Sequence, residues 1–324
     1  MEKQNWKITV RNNLVLIAIA VLVVITAVSS PTFLTAQNFT NIMYQFVALG
    51  FISLGMTFVV LGRYIDLSVA GLFSLTSMIS AIVMLNLLES MGPAGAAIVG
   101  ILAGIGLGAV CGIATGGILV VSGANTQAKA LFITYGMSQI YIAIALLIGQ
   151  GMTFHIYDYF PHCNFLGAGK IGFVAWSFIL YLIILFILYV FEKKTYSGRA
   201  IKYMGGNADA ARLCGMPIYK LRVLIYGLCG ATTAMGAVIN LCRVTTANSS
   251  SGKNMETNAI LAVVVGGTHL TGGKGTVLRS VIGVLVVTLM ANCLNIMGIS
   301  SYTQNIVKGA ILVLAIWLDY RNQE

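Results

Sequence analysis

Gly266-Gly267-Thr268-His269-Leu270-Thr271-Gly272-Gly273-Lys274-Gly275 is the stretch of this chain most suggestive of chemistry, because paired glycines beside a lysine can cradle a phosphate. A phosphate-binding P-loop needs a glycine, four intervening residues, then Gly-Lys followed by Ser or Thr. Thr268 stands where the first glycine belongs and Gly275 follows Lys274, so the motif fails at two positions. The block is expected instead to form a turn and to let backbones pack closely at a membrane surface. His155, Asp158 and His162 are the next candidates, but their spacing matches no strong metal pattern. The six cysteines, Cys111, Cys163, Cys214, Cys229, Cys242 and Cys293, form no CxxC pair, and four fall in apolar runs. Small buried hydrophobes are the expected reading.

Four amides, Asn240, Asn292, Asn295 and Gln304, fall within or near apolar segments. A polar group in hydrocarbon is costly unless it bonds internally or meets water. Each therefore either ties helices together or lines a polar route across the membrane. Asp66 lies three residues after Arg63, a spacing that suits a local ion pair. It equally suits a cap on the helix that follows, alongside Ser68.

These residues are carried by a chain that is 58% hydrophobic and only 9% charged. A soluble domain carries roughly a quarter charged residues, so a soluble enzyme core is excluded. The 324 residues suffice for about ten spans of roughly twenty residues each. Breaks at Ser29-Ser30-Pro31, Gln37-Asn38, Glu89 to Pro93 and the later polar stretches place them near 14–30, 40–62, 67–88, 94–121, 130–149, 171–191, 223–241, 258–270, 277–297 and 303–319. The eighth is short and ends on glycines, which argues against a simple straight crossing. In the fourth, Gly100, Gly104, Gly108 and Gly112 recur every four residues, a stripe that lets another backbone approach. Lys3, Lys7 and Arg11 before Leu14–Val28 imitate a secretory signal, but the spans that follow argue for a retained first helix.

The formal charge of +10 would suggest nucleic acid in a soluble protein. Here the charges sit in loops between apolar runs, so no nucleic-acid partner is expected. With ten alternating spans and a cytoplasmic N-terminus, fifteen of the nineteen Lys and Arg residues fall on the cytoplasmic side, leaving Lys170, Arg243, Lys253 and Lys308 outside. Seven of the fifteen (Lys193, Lys194, Arg199, Lys202, Arg212, Lys220 and Arg222) occupy one polar island, 192–222. Within it Asn207 can cap a helix whose first turn carries Asp209, Ala208, Ala210 and Ala211 favour helix, and Gly215-Met216-Pro217 stops it. A helix of about two turns outside the bilayer is predicted.

The island resembles the cytoplasmic coupling segment of ABC-importer permeases of the ribose, xylose and autoinducer type. The matching residues are Gly198-Arg199 and Gly205-Gly206-Asn207-Ala208-Asp209-Ala210-Ala211-Arg212-Leu213-Cys214-Gly215-Met216. Further blocks are Gly55 to Val59, Asp66-Leu67-Ser68-Val69, Ala259 to Thr268 with Leu270 to Gly275, and Asn292 to Gln304. They occur in family order over nearly the whole chain. Departures are Arg63-Tyr64 where the family has Gly-Gly, Ala70 where it has glycine, and Gln127 to Ala130 without the usual Pro-Phe pattern.

The resemblance implies an all-α polytopic membrane protein of the ABC importer permease fold, a single domain over 1–324 with 192–222 as its coupling loop. It further implies residence in the bacterial cytoplasmic (inner) membrane with both termini cytoplasmic. Gly206, Asn207, Asp209, Ala210, Ala211 and Gly215 would couple to separate ATPase subunits that bind ATP and Mg, with no cofactor and no metal in this chain. A second permease subunit, identical or related, would complete the pathway. An extracytoplasmic solute-binding protein, which the loop with His155, Asp158 and His162 would meet, would deliver a sugar. Asn240, Asn292, Asn295 and Gln304 are the candidate path residues. Alternatives are a nucleoside or branched-chain amino acid permease of the same superfamily, or an ion-coupled carrier, which the scarcity of intramembrane acids disfavours. A membrane-embedded enzyme lacks a cluster of catalytic groups.

Overall fold

A computed structural model describes residues 14–157 and 161–321. The helices follow the hydropathy breaks: α1 (Leu14–Ser29), α2 (Ala36–Leu61), α3 (Val69–Val121), α4 (Gln127–Gly149), α5 (Pro161–Ala168), α6 (Trp176–Lys194), α7 (Tyr196–Gly206), α8 (Ala208–Leu213), α9 (Ile218–Val244), α10 (Met255–Val265), α11 (Val277–Ile296) and α12 (Ser301–Arg321). Among the described residues, α2, α3, α4, α6, α9 and α11 are long and apolar enough to cross a membrane. Helix α3 runs on through the two spans expected at 67–88 and 94–121, but Gly92 leaves helical geometry (φ 69°, ψ 172°) just before Pro93. The two limbs are each long enough to span. The protein is thus an all-α polytopic membrane protein.

Two short antiparallel ribbons mark one face. β1 (Phe154–His155) pairs with β4 (Thr246–Ala247), and β2 (Lys170–Ile171) pairs with β3 (Val174–Ala175). The connections after α4 and after α9 therefore share a side, as an even count of crossings between them requires. Helix α9, with 27 residues, separates this ribbon face from the polar island by about 40 Å. Asp158 lies outside the described residues, as do Lys3, Lys7, Arg11 and the side chain of His162.

Helix α10 has eleven residues, a rise of about 16 Å, so it covers roughly half of a hydrocarbon core about 30 Å thick. The rest of that crossing is coil, 248–254. Its backbone is satisfied internally: Gly252 N donates to Ser74 Oγ (2.9 Å), Asn248 Oδ1 accepts from Ser250 N (3.0 Å), and Lys253 N donates to the Ser250 carbonyl (3.0 Å). Helix α3 likewise begins at depth. Leu67 N donates to Thr134 Oγ1 (3.1 Å) and Gly71 N to Ser138 Oγ (3.2 Å), positions roughly 10 and 17 Å into α4. Non-helical backbone survives at such depth only where protein supplies its partners. Lys253 is exposed and lines an open cleft with Ala70, Ser74 and Ser138. Lys308 lies between helices, alongside Asn258 and Thr288.

Asp66 does not pair with Arg63. Its Oδ1 accepts from Ser68 N (2.9 Å) and Ser68 Oγ (2.6 Å), holding the entrance to α3. Arg63 instead occupies the left-handed region (φ 68°), which glycine adopts at least cost. The neighbouring departure has a structural use, since Arg222 lies 5.2 Å over the Tyr64 ring. All six cysteines are free, and Cys163, Cys229, Cys242 and Cys293 are buried.

The glycine stripe of α3 packs against α9. A Cβ on Gly112 would lie 2.4 Å from the Tyr226 carbonyl oxygen and 3.0 Å from Gly230 Cα, whereas one on Gly106 would meet nothing within 4 Å. The two backbones touch there, and no side chain can be admitted without parting them. Gly112→Val is expected to cost on the order of 1–3 kcal/mol by overpacking. Gly106→Val is expected to be near neutral, and thermal unfolding of the two purified variants in detergent compares them. Equal melting temperatures would contradict this account of the α3–α9 crossing.

Candidate functional site

The polar island folds into more than the single short helix expected of it. At the end of α6, Thr195 breaks the helix, and its Oγ1 accepts from Gly198 N (3.0 Å), opening α7. This eleven-residue helix is amphipathic. Ala200, Ile201 and Met204 turn inward, and Tyr203 is exposed. Asn207 then ends α7 and caps α8, its Oδ1 accepting from Ala210 N (2.9 Å). Asp209 lies in the first turn of α8 and Arg212 in the last, each on the side the helix dipole favours. Gly215 takes φ +77°, Met216 N donates to the Ala211 carbonyl (3.1 Å), and Pro217 leads into α9. The caps read at Asn207 and Gly215 are both in place.

The candidate coupling residues divide by orientation. Ala211 is buried and packs inward, whereas Gly206, Asn207, Asp209, Ala210 and Gly215 are exposed. Leu213 is 89% exposed, the one large aliphatic side chain of α8, and it stands at the outer end of the helix. Spacing alone does not single it out; the signal is an apolar residue in an otherwise polar or small-residue helix. Clefts lie on both sides of α8. One, of about 930 Å³, runs between Tyr203, Ala210 and Cys214 and the turn His269 to Lys274. The other, of about 560 Å³, lies between Asp209, Arg212 and Asn125. Helix α8 is therefore a ridge between two grooves.

The glycine block beside the first groove packs backbone on backbone, as its failed phosphate motif suggested. Gly273 N donates to the Leu61 carbonyl (2.9 Å), and a Cβ on Gly205 would collide with that same oxygen. His269 N closes the turn onto the Lys274 carbonyl (3.0 Å).

Beneath the ridge sits Glu192, whose side chain is fully buried. Its Oε1 accepts from Lys202 Nζ (2.6 Å) and its Oε2 from Val277 N (2.8 Å), the first residue of α11. One carboxylate thus joins α6, the ridge segment α7 and the start of a membrane-spanning helix. Lys193 approaches to 3.7 Å but is 42% exposed and contributes little. On the far side, Arg222 Nη1 donates to Asn125 Oδ1 (2.8 Å), fastening α9 to the α3–α4 connection.

Three of the four candidate path amides are bonded within the protein. Asn292 and Asn38 exchange both amide hydrogen bonds (2.9 and 3.1 Å) while buried, locking α2 to α11. Gln304 Nε2 donates to Asn295 Oδ1 (2.7 Å) and to the Ile299 carbonyl (2.9 Å). Asn240 lines a cavity, of about 170 Å³, between α2, α9, α10, α11 and α12. The structure does not bring the four together.

Comparison with known proteins covers the chain almost end to end. The family model described as "Branched-chain amino acid transport system / permease component" matches residues 38–316. The chain is 33% identical over 315 residues to the ribose import permease protein of Escherichia coli (strain K12), covering 95% of this chain and 93% of that one. It is 33% identical over 303 residues to the ribose import permease protein of Bacillus subtilis (strain 168), covering 92% and 89%. It is 31% identical over 303 residues to the D-allose transport system permease protein of Escherichia coli (strain K12), covering 93% and 89%. No solved structure matches the chain.

The Glu192 junction makes a specific demand on stability. Lys202→Met strands a buried carboxylate and is expected to cost about 2–3 kcal/mol. The double variant Glu192→Gln/Lys202→Met removes the charge yet keeps an acceptor for Val277 N, and should recover more than half of that loss. Thermal unfolding of the single and double variants gives the coupling. Additive losses would show that the two side chains act independently.

Proposed function

This chain belongs to the family described as the permease component of branched-chain amino acid transport systems, and from that membership we propose that it is the membrane-spanning subunit of an ABC importer for a sugar or sugar-like solute. The observation that carries the solute class is the 33% identity to ribose import permeases over 95% of the chain. A branched-chain amino acid is the weaker reading, because the relatives above are named for ribose and D-allose, and the cavity at Asn240 sets amides and cations among its apolar residues.

The work of transport divides between this chain and its partners. Separate ATPase subunits hold ATP and Mg and supply the hydrolysis; this chain supplies the pathway and the point of mechanical contact. Helix α8 is that contact. Its ridge enters a cleft on the ATPase with Leu213 as the apolar anchor, while Asp209, Ala210 and Arg212 meet the cleft walls. Gly206, Asn207 and Gly215 hold the ridge in shape, and buried Ala211 seats it on the protein. Closure of the ATPase pair displaces both ridges, and Glu192 passes that displacement to α6 and α11. A second permease subunit completes the path. An extracytoplasmic binding protein docks on the ribbon face. In this reading the chain resides in the inner membrane with the island and both termini on the cytoplasmic side, an orientation the positive-inside asymmetry supports.

Docking through the ridge is tested by co-purification with the ATPase encoded for this importer. Leu213→Asp is expected to reduce ATPase retention at least about tenfold, a loss of roughly 1.4 kcal/mol or more. Gly215→Pro, which φ +77° forbids, should have the same effect, and both variants should insert into the membrane normally. Full retention in both would refute the assignment of α8. Solute uptake driven by an ion gradient without the ATPase would refute the importer reading itself.

A further inference from the structure

The cavity at Asn240 gathers polar side chains from five helices. Its polar wall is formed by Gln45 of α2, Asn240 and Arg243 of α9, Asn258 of α10, Thr288 of α11 and Lys308 of α12. Five helices thus bring three amides, a hydroxyl and two cations to a space of about 170 Å³, room for one monosaccharide-sized solute. Among the described residues no carboxylate lines it. Arg243 lies 5.5 Å over the Tyr44 ring, and among the described residues it has no carboxylate counter-ion. Thr288 Oγ1 is buried without a hydrogen-bond partner. Within the described residues, no protein group bonds the side chains of Gln45, Asn240, Asn258 or Lys308.

The other amides of this membrane region behave differently: Asn38 with Asn292, and Asn295 with Gln304, satisfy one another. Lys308 lies two turns inside α12, and an unpaired cation between membrane helices is costly and marks pathways. Unused donors and acceptors that converge on one cavity are what a hydroxylated ligand requires. Arg243 and Asn240 lie in the last two turns of α9, toward the ribbon face and away from the ridge. The site is therefore on the side from which a solute would be delivered.

We propose that this cavity is a solute site for a polyhydroxylated molecule bearing a negative charge, a sugar carboxylate or a sugar phosphate. Arg243 and Lys308 receive the anion. Gln45, Asn240, Asn258 and Thr288 exchange hydrogen bonds with the hydroxyls. Charge-assisted hydrogen bonds are the stronger kind, and two cations without an internal acid favour an anion over a neutral sugar. The proposal rests on the importer reading and narrows its substrate class.

The test is isothermal titration of the full-length chain in lipid nanodiscs with four probes: ribose, ribonate, ribose 5-phosphate and inorganic phosphate. Ribonate or ribose 5-phosphate is expected to bind about tenfold or more tightly than ribose, and the stronger of the two identifies the anion. Lys308→Gln should abolish that preference by removing a cation. Asn240→Glu should abolish it independently, by supplying an internal counter-ion while leaving both cations in place. Equal binding of ribose and the anionic sugars, or no binding of any probe, overturns the proposal. So does a preference that survives in both variants, or inorganic phosphate binding as tightly as ribose 5-phosphate, since the amides would then recognise nothing. Each of these failures leaves the importer reading to stand on ATPase retention by the Leu213 and Gly215 variants.

Discussion

The carboxylate of Glu192 carries the structural logic of this protein. A carboxylate removed from water is tolerated only when its lone pairs are taken up by donors. Here they are divided between Lys202 on α7 and the first backbone N–H of α11, with the parent helix α6 as the third member. Because the group is fully buried, none of the three elements can shift alone without stranding a charge or an N–H. The exposed ridge α8 continues directly from α7 through Asn207, which connects it to the Glu192 junction. Backbone packing of Gly205 and Gly273 against the end of α2 extends the same rigid unit.

The rest of the architecture follows from the cost of polar groups in hydrocarbon. Non-helical backbone at membrane depth, at Leu67 and over 248–254, is bonded to Thr134 and Ser74, and Ser138 holds the first turn of α3. Buried amides are paired with one another across helices. Against that background the cavity at Asn240 gathers amides, a hydroxyl and cations from five helices onto one open space. Where a membrane protein leaves polar groups unsatisfied, a polar passenger is the economical explanation.

Much of this was legible in advance. Hydropathy breaks located the helices to within a few residues, because a span must be continuous and apolar. The caps Asn207 and Gly215 were legible because capping depends on local backbone chemistry. The failed phosphate motif at Gly266 to Gly275 pointed to tight packing, which Gly273 and Leu61 display. Helix α7 was not legible as a separate element, since Tyr196 to Gly206 mixes charge, glycine and aromatics without an apolar run. Nor was the division of the path amides. Asn292 and Asn38 are 254 residues apart, and nothing local marks one as the partner of the other.

By itself the sequence determined the class of protein, the order of its helices, the polar island and the short capped helix within it, whereas six helices among the described residues qualify as full spans where ten were expected. Those features depend on short-range propensity, hydropathy and charge placement. The tertiary structure decided which way each residue of α8 faces, leaving Leu213 outermost and Ala211 buried. It also decided that Glu192 meets a helix that begins 85 residues later, and that Arg243 and Lys308 share a cavity with no acid among its described lining residues. Those outcomes depend on which distant segments pack together, and the balance of a buried charge belongs to that packing rather than to any stretch of chain.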